Sequence, residues 1–163
     1  PFFSSFVSKH KALQRLKLNF NKVERMETAE QIADALQLCP NLKEFSMKKC
    51  KLTADMFKKL VSGVQPTHQK LEFCSNNLSN AALACLRDHF LGNLLNTTQL
   101  QHLSLQNCDL EGKEACTLIA ALNQLVPRLQ SLNIAGNLIY PNDLIELKGR
   151  IDTDVKNQKL KIE

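Results

Sequence analysis

Apolar residues recur along the chain on one template, Leu-x-x-Leu-x-Leu-x-x-Asn/Cys-x-Leu, in which other apolar residues replace some of the leucines. The starts of five successive copies are separated by 29, 26, 32 and 29 residues. A near-constant period of this kind indicates a repeat architecture, in which each copy forms one structural unit. A sixth copy begins with Leu160 and Ile162. The five complete copies begin at Leu13, Leu42, His68, Leu100 and Leu129.

The centre of each copy predicts a short strand. Apolar and polar residues alternate around the second and third leucines, which is the pattern of a strand with one buried face. In the fourth copy, Leu103 and Leu105 are therefore predicted to point into a core. Ser104 and Gln106 are predicted to point toward solvent on the opposite face of the sheet.

The segments between the strands predict helices, because their apolar residues recur at helical spacing. Thr28 and Gln31 fit a capping box at the start of a helix over residues 29–38. Thr53 is predicted to cap the second helix, and Pro141 is predicted to lie at the opening of the fifth.

Alternating strands and helices place the chain in the α/β class. One strand and one helix cannot bury their apolar faces alone, whereas stacked repeats bury a continuous core. The sequence therefore predicts a solenoid of about five to six repeats, with a curved parallel sheet inside and helices outside. We expect a single domain over residues 1–163, and we interpret it as a fragment of a longer protein, since the chain begins with Pro1 rather than methionine.

The position that follows each strand alternates between asparagine and cysteine. The chain turns there, and backbone groups that face the interior of the stack need hydrogen-bond partners. An asparagine side chain can donate and accept, whereas a thiol is a weaker substitute. We therefore predict a structural role for Asn21, Cys50, Asn76, Cys108 and Asn137.

The template and its alternating Asn and Cys residues resemble the leucine-rich repeat family. The long repeats are similar to the ribonuclease-inhibitor-like subclass, which also occurs in NOD-like receptors and bacterial effector proteins. The resemblance covers nearly everything from Leu13 to Ile162. It implies a leucine-rich repeat solenoid of horseshoe shape that binds other proteins through its concave sheet.

The solvent-facing strand residues are expected to form columns across neighbouring strands, about 4.8 Å apart. The alternative to a binding role is an ordinary solvated sheet face, because fewer than a third of interface residues contribute strongly to binding. One column is predicted to contain Lys17, Ser46, Glu72, Ser104, Asn133 and Lys161. The residues predicted to contact a partner are Lys17, Asn19, Phe20, Lys48, Lys49, Glu72, Cys74, Ser104 and Gln106.

The formal net charge of +5 bears on the choice of partner. One interpretation of this positive charge is that the protein binds a protein partner with an acidic surface. The alternative is solubility, which is favoured because lysine is depleted at interface cores and 16 of the 21 basic residues are lysines. Nucleic acid is not expected as a partner, because its binding calls for arginine and stacking aromatic residues together. No apolar run is long enough for a transmembrane helix, so no membrane partner is expected.

The six cysteines bear on the cellular compartment in which the protein is found. They contain no Cys-x-x-Cys motif, and their places in the repeat favour buried free thiols. Free thiols favour a reducing environment, so we expect a cytoplasmic location, or delivery into a host cytoplasm if the chain comes from a bacterial effector. Cys74 alone is predicted to occupy an exposed position on the concave face.

Catalysis is not expected. Cys74 could be read as a nucleophile beside His102 and Glu72, but the orienting third group and the oxyanion donors of such sites are missing from the pattern. The four histidines are scattered, and no His/Cys pair has the spacing of a zinc site. We therefore expect no metal and no cofactor.

The sequence favours a non-catalytic protein-binding module. The alternative is the substrate-recognition part of an enzyme or effector whose catalytic domain lies outside this chain, and a purely architectural spacer is a third interpretation. If the first and last strands have unpaired edges, edge-to-edge self-association of the fragment is also expected.

Overall fold

A computed structural model of the protein describes residues 9–92, 98–152 and 161–162. Within these residues the strands form one six-stranded sheet in sequential order, with every neighbouring pair parallel. The strands are β1 (Arg15–Lys17), β2 (Glu44–Ser46), β3 (Lys70–Glu72), β4 (His102–Ser104), β5 (Ser131–Asn133) and β6 (Lys161–Ile162). The helices are α1 (Met26–Gln37), α2 (Ala54–Val61), α3 (Ser79–Gly92), α4 (Gly112–Leu125) and α5 (Pro141–Asp152).

This architecture confirms the predicted solenoid with one strand and one helix per repeat. Leu103 is buried and Ser104 is partly exposed, as the alternation in the fourth copy predicted. The second apolar position of each repeat aligns across the sheet, because a parallel register places equivalent residues side by side. The aligned residues are Leu16, Phe45, Leu71, Leu103 and Leu132.

The sixth copy aligns differently from the prediction. Ile162 pairs with Leu132, and Lys161 pairs with Ser131. Lys161 therefore does not belong to the column of Lys17 and Asn133, where the sequence analysis placed it. The prediction was wrong by two residues, because it placed Ile162 at the third apolar position of the template and the pairing places it at the second.

The core lies between the sheet and the helices and is continuous from one repeat to the next. Phe73 occupies its centre, with its ring 5.9 Å from the ring of Phe45 and 4.8 Å from the ring of Phe57, both in edge-to-face geometry. These contacts link β2, the loop after β3, and α2, and each edge-to-face pair stabilises the fold by about 1 kcal/mol beyond area burial.

Two of the three predicted helix starts are confirmed. The Thr53 hydroxyl accepts the Met56 N–H at 3.4 Å, and Pro141 is the first residue of α5, where its missing N–H has no cost. The capping box at Thr28 was wrong, because α1 already begins at Met26. The Thr28 N–H donates to the Arg25 carbonyl at 3.1 Å, so Thr28 lies within the first turn instead of before it.

A left-handed residue precedes the Asn/Cys position in each of the five complete repeats. This conformation turns the chain sharply out of the strand and toward the helix layer. Four of these five residues are not glycine, and for them this conformation costs about 1 kcal/mol or more. The surrounding structure must therefore hold the turn in place at the rim of the sheet. The residues and their φ angles are Phe20 (64°), Lys49 (52°), Ser75 (56°), Asn107 (52°) and Gly136 (70°).

Helix packing predicts that Gly63→Ala destabilises the protein by about 1–3 kcal/mol, the usual effect of overpacking. Gly63 is buried against α1, and an added Cβ would lie 2.8 Å from the Cα of Ala33, too close without a backbone shift. Gly149→Ala is the matched control, because nothing lies within 4 Å of its added Cβ in exposed α5. It should stabilise by about 0.5–1 kcal/mol. Urea unfolding followed by circular dichroism measures both, and equal midpoints would contradict the α1–α2 packing.

Candidate functional site

The concave face begins at β1 and β2 with a hydrogen-bonded group centred on Asn19. Its side-chain oxygen accepts the Ser46 hydroxyl at 2.7 Å and the Lys48 N–H at 2.9 Å. Ser46 was expected to face solvent, but it is only 2% exposed. Asn19, in the loop after β1, reaches across and covers the hydroxyl, so this expectation was wrong. The result is a surface whose polar side chains are already fixed by partners within the protein.

Glu72 lies at the centre of the concave face between two lysines. Its carboxylate is 3.1 Å from the Lys48 ammonium and 3.2 Å from that of Lys70. Partial burial acts to raise the pKa of the Glu72 carboxyl, but the two ammonium groups outweigh burial and hold that pKa below its usual value. Two of the predicted contact residues, Lys48 and Glu72, therefore pair with each other and largely neutralise this part of the surface.

Cys74 is buried, at 7% exposure, and its thiol lies 3.1 Å from the Ser104 hydroxyl. Its predicted exposure was wrong, because Ser104 on the next strand covers the sulfur. The structure gives Cys85 the greatest exposure of the six free cysteines, and burial still raises its pKa to about 11. His102 pairs in register with Lys70 and not with a residue near Cys74, so the two are not brought together as a nucleophile and base.

The edge of the face at β1 and β2 carries an aromatic side chain and free cations. Phe20 is 72% exposed, and the Lys49 ammonium lies 5.9 Å from its ring centroid, within the range of a cation–π contact. Lys17 is also exposed. Within residues 9–92, 98–152 and 161–162, neither lysine takes part in an ion pair. Positive charge is therefore uncompensated here, unlike at Glu72.

A shallow depression of about 180 Å³ lies at the middle of the sheet, across β3, β4 and β5. The sequence analysis predicted only two of its polar residues as contacts. Lys70, His102 and Ser131 precede the second apolar position of their repeat, so a further column drawn from the same template would have found them. Asn133 stood in the column of Glu72 and Ser104 but was not predicted as a contact. The polar residues of the depression are Lys70, Glu72, His102, Ser104, Ser131 and Asn133.

Asn76 joins three segments of backbone behind the concave face. Its amide group donates to the Met47 carbonyl at 2.8 Å and to the Phe73 carbonyl at 2.7 Å. Its oxygen accepts the N–H groups of Cys50 at 2.9 Å and Leu52 at 3.2 Å. Asn137 makes the equivalent four contacts two repeats later.

The two cysteines of this position also contact the preceding repeat, each through its thiol. The Cys50 thiol donates to the Leu18 carbonyl at 3.1 Å, and the Cys108 thiol donates to the Phe73 carbonyl at 3.3 Å. A left-handed residue follows each of these cysteines, Lys51 with φ 57° and Asp109 with φ 59°. This conformation directs the N–H groups on both sides toward one asparagine oxygen. The alternation in sequence therefore corresponds to two loop geometries.

No group of three or more His, Cys, Asp or Glu residues in the described part of the chain could hold a metal ion. A search of the same residues finds no helix long and apolar enough to cross a membrane.

Comparisons with known proteins identify the fold. No protein-family model matches the sequence. The leiomodin-1 actin-binding site 2 domain has a TM-score of 0.70 at 17% identity, over 97% of this chain and 91% of that one. The tropomodulin C-terminal domain of Caenorhabditis elegans has a TM-score of 0.69 at 14% identity, over 91% of each chain.

A leucine-rich repeat protein of Leptospira interrogans has a TM-score of 0.51 at 21% identity, over 96% of this chain and 38% of that one. At these identities the similarities concern the fold. Together with the sequential parallel sheet and the repeat template, they show that the chain folds as a leucine-rich repeat solenoid of the α/β class.

Proposed function

We propose that the chain is a non-catalytic module that binds a protein partner on its concave sheet face. The observation that carries the proposal is the exposed Phe20 ring, flanked by the unpaired cation of Lys49 at the edge of that face. A large aromatic side chain left in solvent beside uncompensated charge is typical of a binding anchor, because buried aromatic residues dominate interface energetics. The partner carries an acidic patch that meets Lys17 and Lys49.

The fixed polar groups of the face support docking with little backbone change. Asn19 holds Ser46 and the Lys48 backbone, and Glu72 holds two lysine side chains. Side chains that are ordered before binding lose less entropy on association. The proposed contact surface consists of Lys17, Asn19, Phe20, Lys48, Lys49, Glu72, Ser104 and Gln106, and Cys74 supports it from beneath Ser104.

The two loop geometries support assignment to the ribonuclease-inhibitor-like subclass. In this chain the Cys-type loop carries a second left-handed residue directly after the cysteine, and the Asn side chain of the following repeat fills it. The alternative function remains a substrate-recognition part of a larger enzyme or effector. Both functions use the same concave surface, so the experiment below tests the surface that they share.

The concave edge predicts that Phe20→Ala strongly weakens capture of the partner, whereas Ile145→Ala does not. Loss of an aromatic anchor costs about 2 kcal/mol or more, which is roughly a thirtyfold loss in affinity. Ile145 is the matched control, because it is 68% exposed but lies on α5, in the helix layer. Affinity capture with each variant, compared by quantitative mass spectrometry, measures the effect. Retention of every captured protein by Phe20→Ala would contradict the concave-face proposal.

Actin is a candidate for the protein partner, and its binding can be tested directly. The leiomodin-1 domain that matches this chain almost end to end is named for an actin-binding site. Co-sedimentation with purified actin filaments, and gel filtration with monomeric actin, test binding directly. If actin is the partner, Lys49→Glu should weaken binding more at low salt than at high salt, since exposed charges are screened. Binding that Lys49→Glu and Phe20→Ala both leave unchanged would place actin elsewhere on the molecule.

A further inference from the structure

A second exposed apolar surface lies on the rim of the solenoid, away from the concave face. The loops that leave β4 and β5 form an open groove of about 570 Å³ between them. We call this the rim groove. Its apolar wall carries Leu138, which is 67% exposed, and Tyr140. The residues that define it are Glu111, Gly112, Glu114, Leu138, Ile139 and Tyr140.

The backbone of the two loops is joined, so the groove is preformed. Glu111 and Leu138 form a parallel β-bridge, and the Gly112 N–H donates to the Leu138 carbonyl at 3.1 Å. The Leu138 N–H donates to the Leu110 carbonyl at 2.8 Å. Both backbone groups of Leu138 are therefore used within the protein, and its side chain alone is available to a partner.

The other wall of the groove is acidic. The Asn80 amide donates to a Glu114 carboxylate oxygen at 3.1 Å and orients it, while the Asn80 oxygen accepts the Glu111 N–H at 3.0 Å. Lys113 also lines the groove, but its ammonium group is paired with Glu146 at 3.4 Å. Among the described residues, no ion pair neutralises Glu111 or Glu114. The negative charge of this wall is therefore uncompensated.

The chain contains its own control for this surface. An equivalent groove of about 690 Å³ lies two repeats earlier, between the loops that follow β2 and β3. On the template, Asn77 and Ser79 of that groove stand where Leu138 and Tyr140 stand in the rim groove, and Thr53 stands where Glu111 stands. The same loop framework thus holds polar residues in one place and apolar and acidic ones in the other. The fold does not require Leu138 and Tyr140 to be apolar.

We propose that the rim groove is a second protein-docking surface, which takes a short extended segment of a partner with a large apolar side chain beside an arginine or lysine. The apolar side chain packs on Leu138 and Tyr140, and the cation meets Glu111 and Glu114. Charge complementarity selects a basic segment here, whereas the concave edge selects an acidic patch. This surface is separate from the concave face, and its function does not depend on that of the concave face.

The chain has one tyrosine and no tryptophan, so its tyrosine emission reports on Tyr140 alone. The probe is the blocked peptide acetyl-Ser-Arg-Leu-Arg-Ser-amide, which contributes no emission. It should change the Tyr140 emission saturably, and more weakly as salt rises. The control peptides place Glu for both Arg, or Ser for Leu. Each should bind at least roughly tenfold more weakly, the effect of about 1.4 kcal/mol.

Leu138→Asn installs the residue that the equivalent loop carries at Asn77, so the fold should be retained, which an unchanged thermal melt would verify. It should weaken peptide binding roughly tenfold, because the apolar contact with Leu138 is lost. Glu111→Gln should weaken binding and flatten its salt dependence, whereas Phe20→Ala should leave it unchanged. An equal response to the Glu-containing peptide, or full binding by Leu138→Asn, would overturn the proposal. Self-association in sedimentation velocity that Leu138→Asn abolishes would also overturn it, since a second copy would then be the occupant.

Discussion

Asn76→Ala should lower the free energy of unfolding by about 3–4 kcal/mol, because it leaves several buried backbone groups without partners at once. The substitution removes the contacts to the Met47 and Phe73 carbonyls and to the Cys50 and Leu52 N–H groups. Each orphaned buried group costs about 1–3 kcal/mol, and partial relaxation of the loops keeps the total below the sum. Few single substitutions outside the apolar core should be as costly in this chain.

Asn21→Ala is the matched control for this prediction. Asn21 occupies the same position of its repeat, but it is exposed, and among the described residues it donates only to the Leu18 and Asn19 carbonyls, at 3.0 and 3.2 Å. Water can replace these contacts, so the expected loss is less than about 1 kcal/mol. Urea unfolding of both variants under identical conditions gives the comparison. Equal losses would mean that the asparagine acts within its own turn and does not join neighbouring repeats.

The sequence predicted the strands and their register well, because an error of one residue in register would move the apolar side chains of a strand to the solvent face. A shift of one residue along β4 would place Ser104 in the core and Leu103 in solvent, and the alternation excludes that arrangement. The sixth repeat lacked this constraint, since only Leu160 and Ile162 mark it. Its alignment could be decided only by the observed pairing of Ile162 with Leu132.

The exposure of polar residues on the concave face could not be predicted in the same way. Ser46 and Cys74 lie on the face that the alternation assigns to solvent, yet both are buried. Each is covered by a polar side chain of an adjacent repeat, Asn19 over Ser46 and Ser104 over Cys74. Periodicity identifies the face of a residue, but burial on that face depends on which side chain stands beside it.

The rim groove was missed for a related reason. It combines loops from two repeats, and its apolar residues stand outside the strand positions that the template emphasises. A signal was present in the sequence, since Leu138 and Tyr140 replace the polar Asn77 and Ser79 at equivalent positions. Comparing each repeat position with its equivalents would have marked these substitutions as unexplained by the fold. Solenoids are suited to such comparisons, because equivalent positions of successive repeats have the same structural role and their residues can be compared directly.

His68 makes the stability of the protein sensitive to acid. It occupies a leucine position and is almost fully buried, with its Nδ1 accepting the Gln65 N–H at 2.7 Å. In the described residues, its Nε2 has no hydrogen-bond partner. Burial lowers the pKa of His68 from 6.5 to about 4, against the opposing effect of its hydrogen bond to the Gln65 backbone. The folded protein therefore holds this ring neutral well below the pH at which the unfolded chain protonates it.

The sign of the effect follows from proton binding. Between pH 6.5 and about 4 the unfolded state binds a proton at His68 that the folded state does not, so stability falls as the pH falls. Each pKa unit corresponds to about 1.4 kcal/mol, so the full loss at this site is about 3 kcal/mol and levels off below pH 4. Burial also lowers the pKa of His89, against the Val64 carbonyl that contacts it, which adds to the loss in the same direction.

His68→Leu should remove most of this acid sensitivity and raise stability at acidic pH. Leucine restores the template residue at this position and leaves no buried nitrogen without a partner. Unfolding in urea across the interval from neutral pH to about pH 4 should show the variant and the natural protein diverging as the pH falls. The carboxylates titrate in both proteins, so the difference between the curves isolates His68. His102→Leu, at an exposed position of β4, is the control for replacing a histidine by leucine. Parallel curves for His68→Leu and the natural protein would show that the buried ring is protonated as readily in the folded state as in the unfolded chain.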